Sequence, residues 1–115
     1  MQAETAPEKV DADRDRDRAL DELCAALANT DDPALIREFL SSILTEYEVR
    51  EVATRWALVR LIDGGMSQRS ISRALGLSLC KITRGSKELK KRNSAFRRMV
   101  NAYKELVSRS LDVSA

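Results

Sequence analysis

The chain has 115 residues, 33% of them charged, with 20 Lys/Arg against 18 Asp/Glu, no histidine and two cysteines. That length holds one small domain, and no segment is long and apolar enough to span a bilayer or to act as a secretory signal, so the chain is expected in the cytoplasm without a membrane partner. Two thiols without a histidine make no zinc set, and the lack of a histidine, of a nucleophile beside a base and of a glycine-rich phosphate loop argues against an enzyme.

Residues 1–17 contain Pro7 and most of the run Asp11-Ala-Asp-Arg-Asp-Arg-Asp-Arg18, with almost no large apolar residue, and are expected to form a flexible arm. From there apolar residues recur at helical spacing and strand signals are lacking, which predicts an all-α chain of six helices. The first runs from Arg18 to Leu27, with Leu20, Leu23, Cys24 and Leu27 on one face, so that Cys24 reads as a small core residue. Asn29-Thr-Asp-Asp-Pro33 breaks the chain; Asp32 caps the second helix and Pro33 suits its first position. Leu35, Ile36, Phe39 and Leu40 line that helix, which ends near Ile43. Thr45-Glu46-Tyr47-Glu48 is a capping box opening the third helix. Val49, Val52, Ala53, Trp56, Val59 and Ile62 follow at helical spacing, and Gly64-Gly65 ends it.

The stretch 67–90 reads as two short helices broken at Gly76. Ser67 caps the first, on which Ile71 and Leu75 share a face, and Ser72 is small where the helices must approach. Gly76 can take the positive φ of a sharp corner. Ser78 caps the next helix, which runs from Leu79 toward Lys90 with Leu77 and Ile82 inward. This is the pattern of a helix-turn-helix, which sets its second helix in the DNA major groove. Charge points the same way. Residues 1–65 hold 8 Lys/Arg and 15 Asp/Glu, a net −7, whereas residues 66–104 hold 11 Lys/Arg and only Glu88, a net +10. So basic a segment, centred on that corner, is the footprint of phosphate binding. An adaptor built on a bare helical corner leaves the split unexplained. Cys80 lies on the second helix of the corner as an exposed, reduced thiol.

Lys91-Arg-Asn-Ser94 is the last break, with Ser94 capping a helix that carries Phe96, Met99, Val100, Tyr103, Leu106 and Val107; residues 111–115 are read as a tail. The apolar faces of the first, second, third and sixth helices are wide for so short a chain. They predict a dimer whose core is shared between subunits.

The segment from Leu44 to Lys90 resembles the tryptophan repressor family. Leu44-Thr45, Ala53-Thr54-Arg55 and Met66-Ser67-Gln68-Arg69 carry the likeness, and above all Ile82-Thr83-Arg84-Gly85-Ser86 followed by Leu89-Lys90. The resemblance implies an intertwined six-helix homodimer over residues 18–110, binding double-stranded operator DNA to repress tryptophan biosynthesis or uptake genes. It implies L-tryptophan as a corepressor, with no other cofactor, wedged between core and reading head so that the heads fit two successive major grooves. Arg55 and Arg84 match the family arginines that sandwich the indole, a ring on which guanidinium stacks well. Arg84 or Thr45 would take the carboxylate, backbone carbonyls near Ser42 and Leu44 of the partner subunit the ammonium, and Val59 and Gly85 the wall. Glu88 stands where well-studied members carry Ser; it can hold the ammonium by a charge-assisted bond, face solvent, or pair with Arg92. The connection from Arg55 to Met66 is one residue shorter than in those members. Read without the family, Arg55 is a surface cation beside Glu51 or Glu48, and Arg84 a phosphate contact. The second possibility suits a regulator of the same fold with another ligand or none. Trp56 reads as core.

Gln68, Arg69, Leu79, Cys80, Lys81 and Thr83 match the family positions that face DNA. Arg69 suits a bidentate contact to guanine, Lys81 and Thr83 suit bases or phosphates, and Leu79 and Cys80 suit a thymine methyl. Arg73, Lys87, Lys90 and Lys91 suit phosphates, which position the protein without reading sequence. Arg69→Ala is expected to cost about 1–3 kcal/mol of operator binding and to relax base preference, as a competition titration would measure. Equal losses on operator and random DNA would remove Arg69 from base reading.

Overall fold

The structure, a computed structural model, describes the backbone of residues 11–114 and the side chains of residues 11–111. Six helices follow one another: α1 (Ala12–Ala28), α2 (Pro33–Ile43), α3 (Glu46–Asp63), α4 (Gln68–Leu75), α5 (Leu79–Lys90) and α6 (Ala95–Ser114), with no strand among the described residues. The chain divides into two units, Met1–Thr45 and Glu46–Ala115.

In the first unit α1 starts at Ala12, six residues before the expected start at Arg18, so residues 12–17 are helix and not arm. The remainder of the expected arm, through residue 10, lies outside the described residues. Charge rather than apolar spacing supports this extra length. Asp13 and Asp15 occupy the first turn, where the helix dipole favours anions. Arg14 pairs with Asp11, and Arg16 with Asp13, each three residues apart. At α2, the Asp32 carboxylate accepts from the backbone N–H groups of Ala34 and Leu35 at 3.1 and 3.3 Å, and Pro33 opens the helix as its fixed φ predicts. Neither helix contains a buried residue: Leu20 is 57% exposed and Leu35 51%. Cys24 is therefore exposed and not a core residue.

In the second unit α3 is the axis. Adjacent residues on a helix point about 100° apart, and Leu58 and Val59 use that angle to enter two different clusters. Leu58 packs with Ile71 of α4 and Ile82 of α5, flanked by Leu61, Ile62, Leu75 and Leu77. Val59 packs with Leu89 of α5 and Val100 of α6, flanked by Trp56, Ile62 and Phe96. The four residues Val59, Ile71, Ile82 and Val100 are all but sealed from solvent. Helix α3 ends in a Schellman motif: Gly65 has φ 89°, its N–H donates to Ile62 O at 3.0 Å, and the Met66 N–H donates to Leu61 O at 3.1 Å.

Helices α4 and α5 pack on one another across a tight corner. Gly76 has φ 66° and ψ 33°, and its N–H donates to Ser72 O at 2.8 Å. The Ser72 hydroxyl reaches across the turn to Leu77 O at 2.7 Å, so this residue ties the corner as well as leaving room for it. Ser67, Ser78 and Ser94 cap α4, α5 and α6 by accepting from the N–H groups of Ser70, Lys81 and Arg97. Asn93 takes φ 55° in the turn before α6, a conformation Asn tolerates better than most residues. Helix α6 continues to Ser114, so residues 111–114 extend the helix where a tail was expected.

Gly85 sets the distance between α5 and α3. A Cβ there would lie 2.9 Å from Leu58 Cδ2 and 3.2 Å from Leu58 Cγ. Gly85→Ala must displace Leu58 or spread the helices. It is expected to destabilise the fold by about 1–3 kcal/mol, read as a lower denaturant midpoint at unchanged slope.

Candidate functional site: a charged cleft between α3 and α5

Residues of α3, α5 and α6 surround a cleft of about 360 Å³ within the second unit. Leu58, Val59 and Gly85 form its buried floor, and Leu77 and Phe96 complete the apolar lining. Its rim is charged. Glu51 and Arg55, one turn apart on α3, face the stripe Lys81, Arg84 and Glu88 of α5, which recurs at three- and four-residue spacing. The missing side chain of Gly85 lets the α5 backbone close on α3 and leaves open the space beside Arg84 and Glu88.

Five of the expected ligand residues, Arg55, Val59, Arg84, Gly85 and Glu88, line this one cleft. Ser42, Leu44 and Thr45 belong to the first unit. There the Ser42 hydroxyl donates to Glu38 O at 2.9 Å, and the Leu44 N–H closes α2 on Leu40 O at 3.0 Å. Sequence reasoning missed Glu51, Thr54, Leu58, Leu77 and Phe96 as lining residues, and assigned Lys81 to DNA alone. Glu51 and Thr54 were open to discovery, since both share the helical face of Arg55. Phe96 was not: it arrives from α6 and carries no local mark of the cleft. Glu88 does not pair with Arg92. Its Oε2 lies 2.6 Å from Lys91 Nζ, one helical turn away on the solvent side.

The residues expected to face DNA are all exposed: Gln68, Arg69 and Arg73 on α4, then Leu79, Cys80, Lys81, Thr83, Lys87 and Lys90 on α5, with Lys91 just after it. Leu79, at the N-terminal end of α5, is 56% exposed.

The wall containing Phe96 is fastened to α3 by polar contacts. Asp63, with its side chain 11% exposed, accepts from the Arg97 guanidinium and from Lys104 Nζ at 3.0 Å. The Arg97 hydrogen bond, and then that of Lys104, hold the Asp63 carboxyl below its usual pKa against the opposing effect of burial. Along the same face of α3, the Arg60 guanidinium lies 4.6 Å from the centre of the Tyr103 ring, and Trp56 meets that ring edge-on at 6.2 Å. Trp56 is thus a half-buried packing residue and does not line the cleft.

No group of His, Cys, Asp and Glu placed to hold a metal, and no helix long and apolar enough to cross a membrane, occurs among the described residues. The chain belongs to the Trp repressor protein family, whose model matches residues 18–104. It is 35% identical over 63 residues to a Trp operon repressor homolog of Chlamydia trachomatis serovar L2, covering 54% of this chain and 67% of that one. The Trp operon repressor homolog of Xylella fastidiosa is 33% identical over 79 residues, 68% of this chain and 86% of its own. That of Vibrio vulnificus is 37% identical over 67 residues, 57% and 66% of the two chains. No solved structure gives a significant match.

The depressed Asp63 pKa has a definite pH signature. A carboxylate whose folded pKa is lowered contributes stability above its unfolded value, about 3.9, and loses it as pH falls through the folded value. Asp63→Asn is expected to lower stability near neutral pH by about 1 kcal/mol, since both partners are partly solvated. Thermal melts of the two proteins should converge below about pH 4; a constant difference down to low pH would show that the ion pairs contribute nothing.

Proposed function

We propose that this chain is a DNA-binding transcriptional repressor gated by L-tryptophan, acting on genes of tryptophan biosynthesis or uptake. The observation that carries the reading is the pair Arg55 and Arg84, set on different helices yet lining one cleft. Guanidinium planes stack on indole faces, the buried floor of Leu58, Val59 and Gly85 suits the ring, and 360 Å³ falls in the range of small-molecule sites, about 300–1,000 Å³. Arg84 or Thr45 takes the carboxylate. Glu88 takes the ammonium, together with backbone carbonyls near Ser42 and Leu44 of the partner subunit.

On this reading α4 and α5 form a helix-turn-helix whose second helix enters the major groove. Arg55 belongs to the scaffold and Arg84 to the reading helix, so a ring clamped between them fixes the angle of the reading helix. Ligand binding and DNA binding then favour the same arrangement, which is a coupling between two sites. Membership of the Trp repressor family supports the assignment, as does the name Trp operon repressor homolog carried by the relatives. The exposed apolar residues of α1, α2 and α6, among them Leu20, Leu35, Ile43, Leu106 and Leu111, support a homodimer, because faces of that extent in a small chain need a partner. The protein works as a regulator in the cytoplasm, without catalysis, metal or a cofactor besides the amino acid.

Calorimetry with L-tryptophan, paired with a titration of DNA spanning the operator of a tryptophan gene, tests this. The expected result is binding to the free protein and tighter DNA binding with ligand present, with Arg55→Ala weakening L-tryptophan roughly tenfold. No heat at millimolar L-tryptophan and unchanged DNA affinity would overturn ligand gating, leaving a DNA-binding regulator of the same fold with another ligand or none.

A further inference from the structure

Glu88 belongs to two structures at once. It lines the cleft, and its carboxylate is held by Lys91 just beyond the C-terminal end of α5, with 2.6 Å between Oε2 and Nζ. The Lys91 side chain is 62% exposed and that of Glu88 43%, so the pair is a surface contact that solvent can compete for. Such pairs change an equilibrium by a factor of about two to five. Lys91 also sits in the basic segment 66–104, whose net charge of +10 suits phosphate.

We infer that Glu88 is an exchange point between the cleft and the DNA-facing surface: an ammonium group in the cleft displaces Lys91 from Glu88 and frees that lysine for a phosphate. The inference rests on the cleft being the L-tryptophan site. The amino acid's ammonium and the Lys91 ammonium compete for one carboxylate, and a carboxylate satisfied by the first holds the second less. The coupling is reciprocal. A phosphate that draws Lys91 away leaves Glu88 open to the ligand, so DNA raises ligand affinity by the factor through which ligand raises DNA affinity. Only two side chains need to turn, so this exchange operates in addition to any movement of α5. Arg84, one turn before Glu88 on α5, lines the same cleft and stays near the carboxylate in either arrangement, which keeps the effect to a few-fold.

The test is calorimetry on the full chain without DNA, using L-tryptophan with the wild type, K91Q, E88Q and the double variant. K91Q is expected to bind about twofold to fivefold more tightly than the wild type, because Glu88 has lost its competitor. In the E88Q background the K91Q change should make no difference. The probe 3-indolepropionate, with the ring and carboxylate but no ammonium, should gain nothing from K91Q. Wild-type or weaker affinity in K91Q, or an equal gain in both backgrounds, overturns the exchange while the ligand reading stands. Absence of any heat from L-tryptophan with the wild type sinks the ligand reading itself, and the exchange with it.

Discussion

The second unit is organised by the absence of one methyl group. At Gly85 the backbone of α5 comes so near Leu58 of α3 that a Cβ would sit at 2.9 Å from its side chain. Close approach of two helices normally removes the space between them. Here it does so at one point and leaves a cleft beside it, because the residues flanking the glycine on its own face, Lys81, Arg84 and Glu88, are long and carry charge at their tips. The floor is thus apolar and the rim charged, an arrangement suited to a flat apolar guest with ionic ends. Leu58 serves both sides of this bargain, since it floors the cleft and anchors Ile71 and Ile82 behind the corner between α4 and α5.

That shared residue gives the proposed gating a physical route. A ligand between Arg55 and Arg84 would touch α3 and α5 together, and α5 is continuous through Ser78, Leu77 and the Ser72 hydrogen bond with α4. A small change of angle at the cleft moves a packed pair of helices as one body, because cores rearrange between discrete arrangements rather than deform smoothly. On the other side α6 is held to α3 by Asp63 with Arg97 and Lys104, and by Tyr103 between Trp56 and Arg60. The cleft therefore has one wall, at Phe96, tied firmly to the scaffold. The wall on α5 rests on packing and on a single weak ion pair at its far end.

Charge in this chain is distributed for different purposes in different places. In α1 the alternating Asp and Arg side chains pair along the helix and extend it past the point where apolar spacing begins. On α4 and α5 the cations stand exposed with few acids nearby, which leaves their field open to an external polyanion. In the cleft both signs occur together, with Glu51 and Glu88 among Arg55, Lys81 and Arg84. A zwitterion is a better match for that mixture than a simple anion or cation.

Local features of the chain were legible without any structure. Ser67, Ser78 and Ser94 fall at the caps, Gly65 and Gly76 at the left-handed stops, and Pro33 at a first turn, because capping and backbone freedom depend on neighbours a few residues away. The stripe on α5 and the position of Arg55 on α3 were likewise readable from helical period and family likeness. The start of α1 was not, because charge pairs extend it where no apolar pattern signals a helix. Phe96 in the cleft, the Lys91 partner of Glu88 and the exposure of Cys24 were decided only in three dimensions. Each depends on which surfaces meet, and the spacing of residues along one helix says nothing about the element that will lie against it.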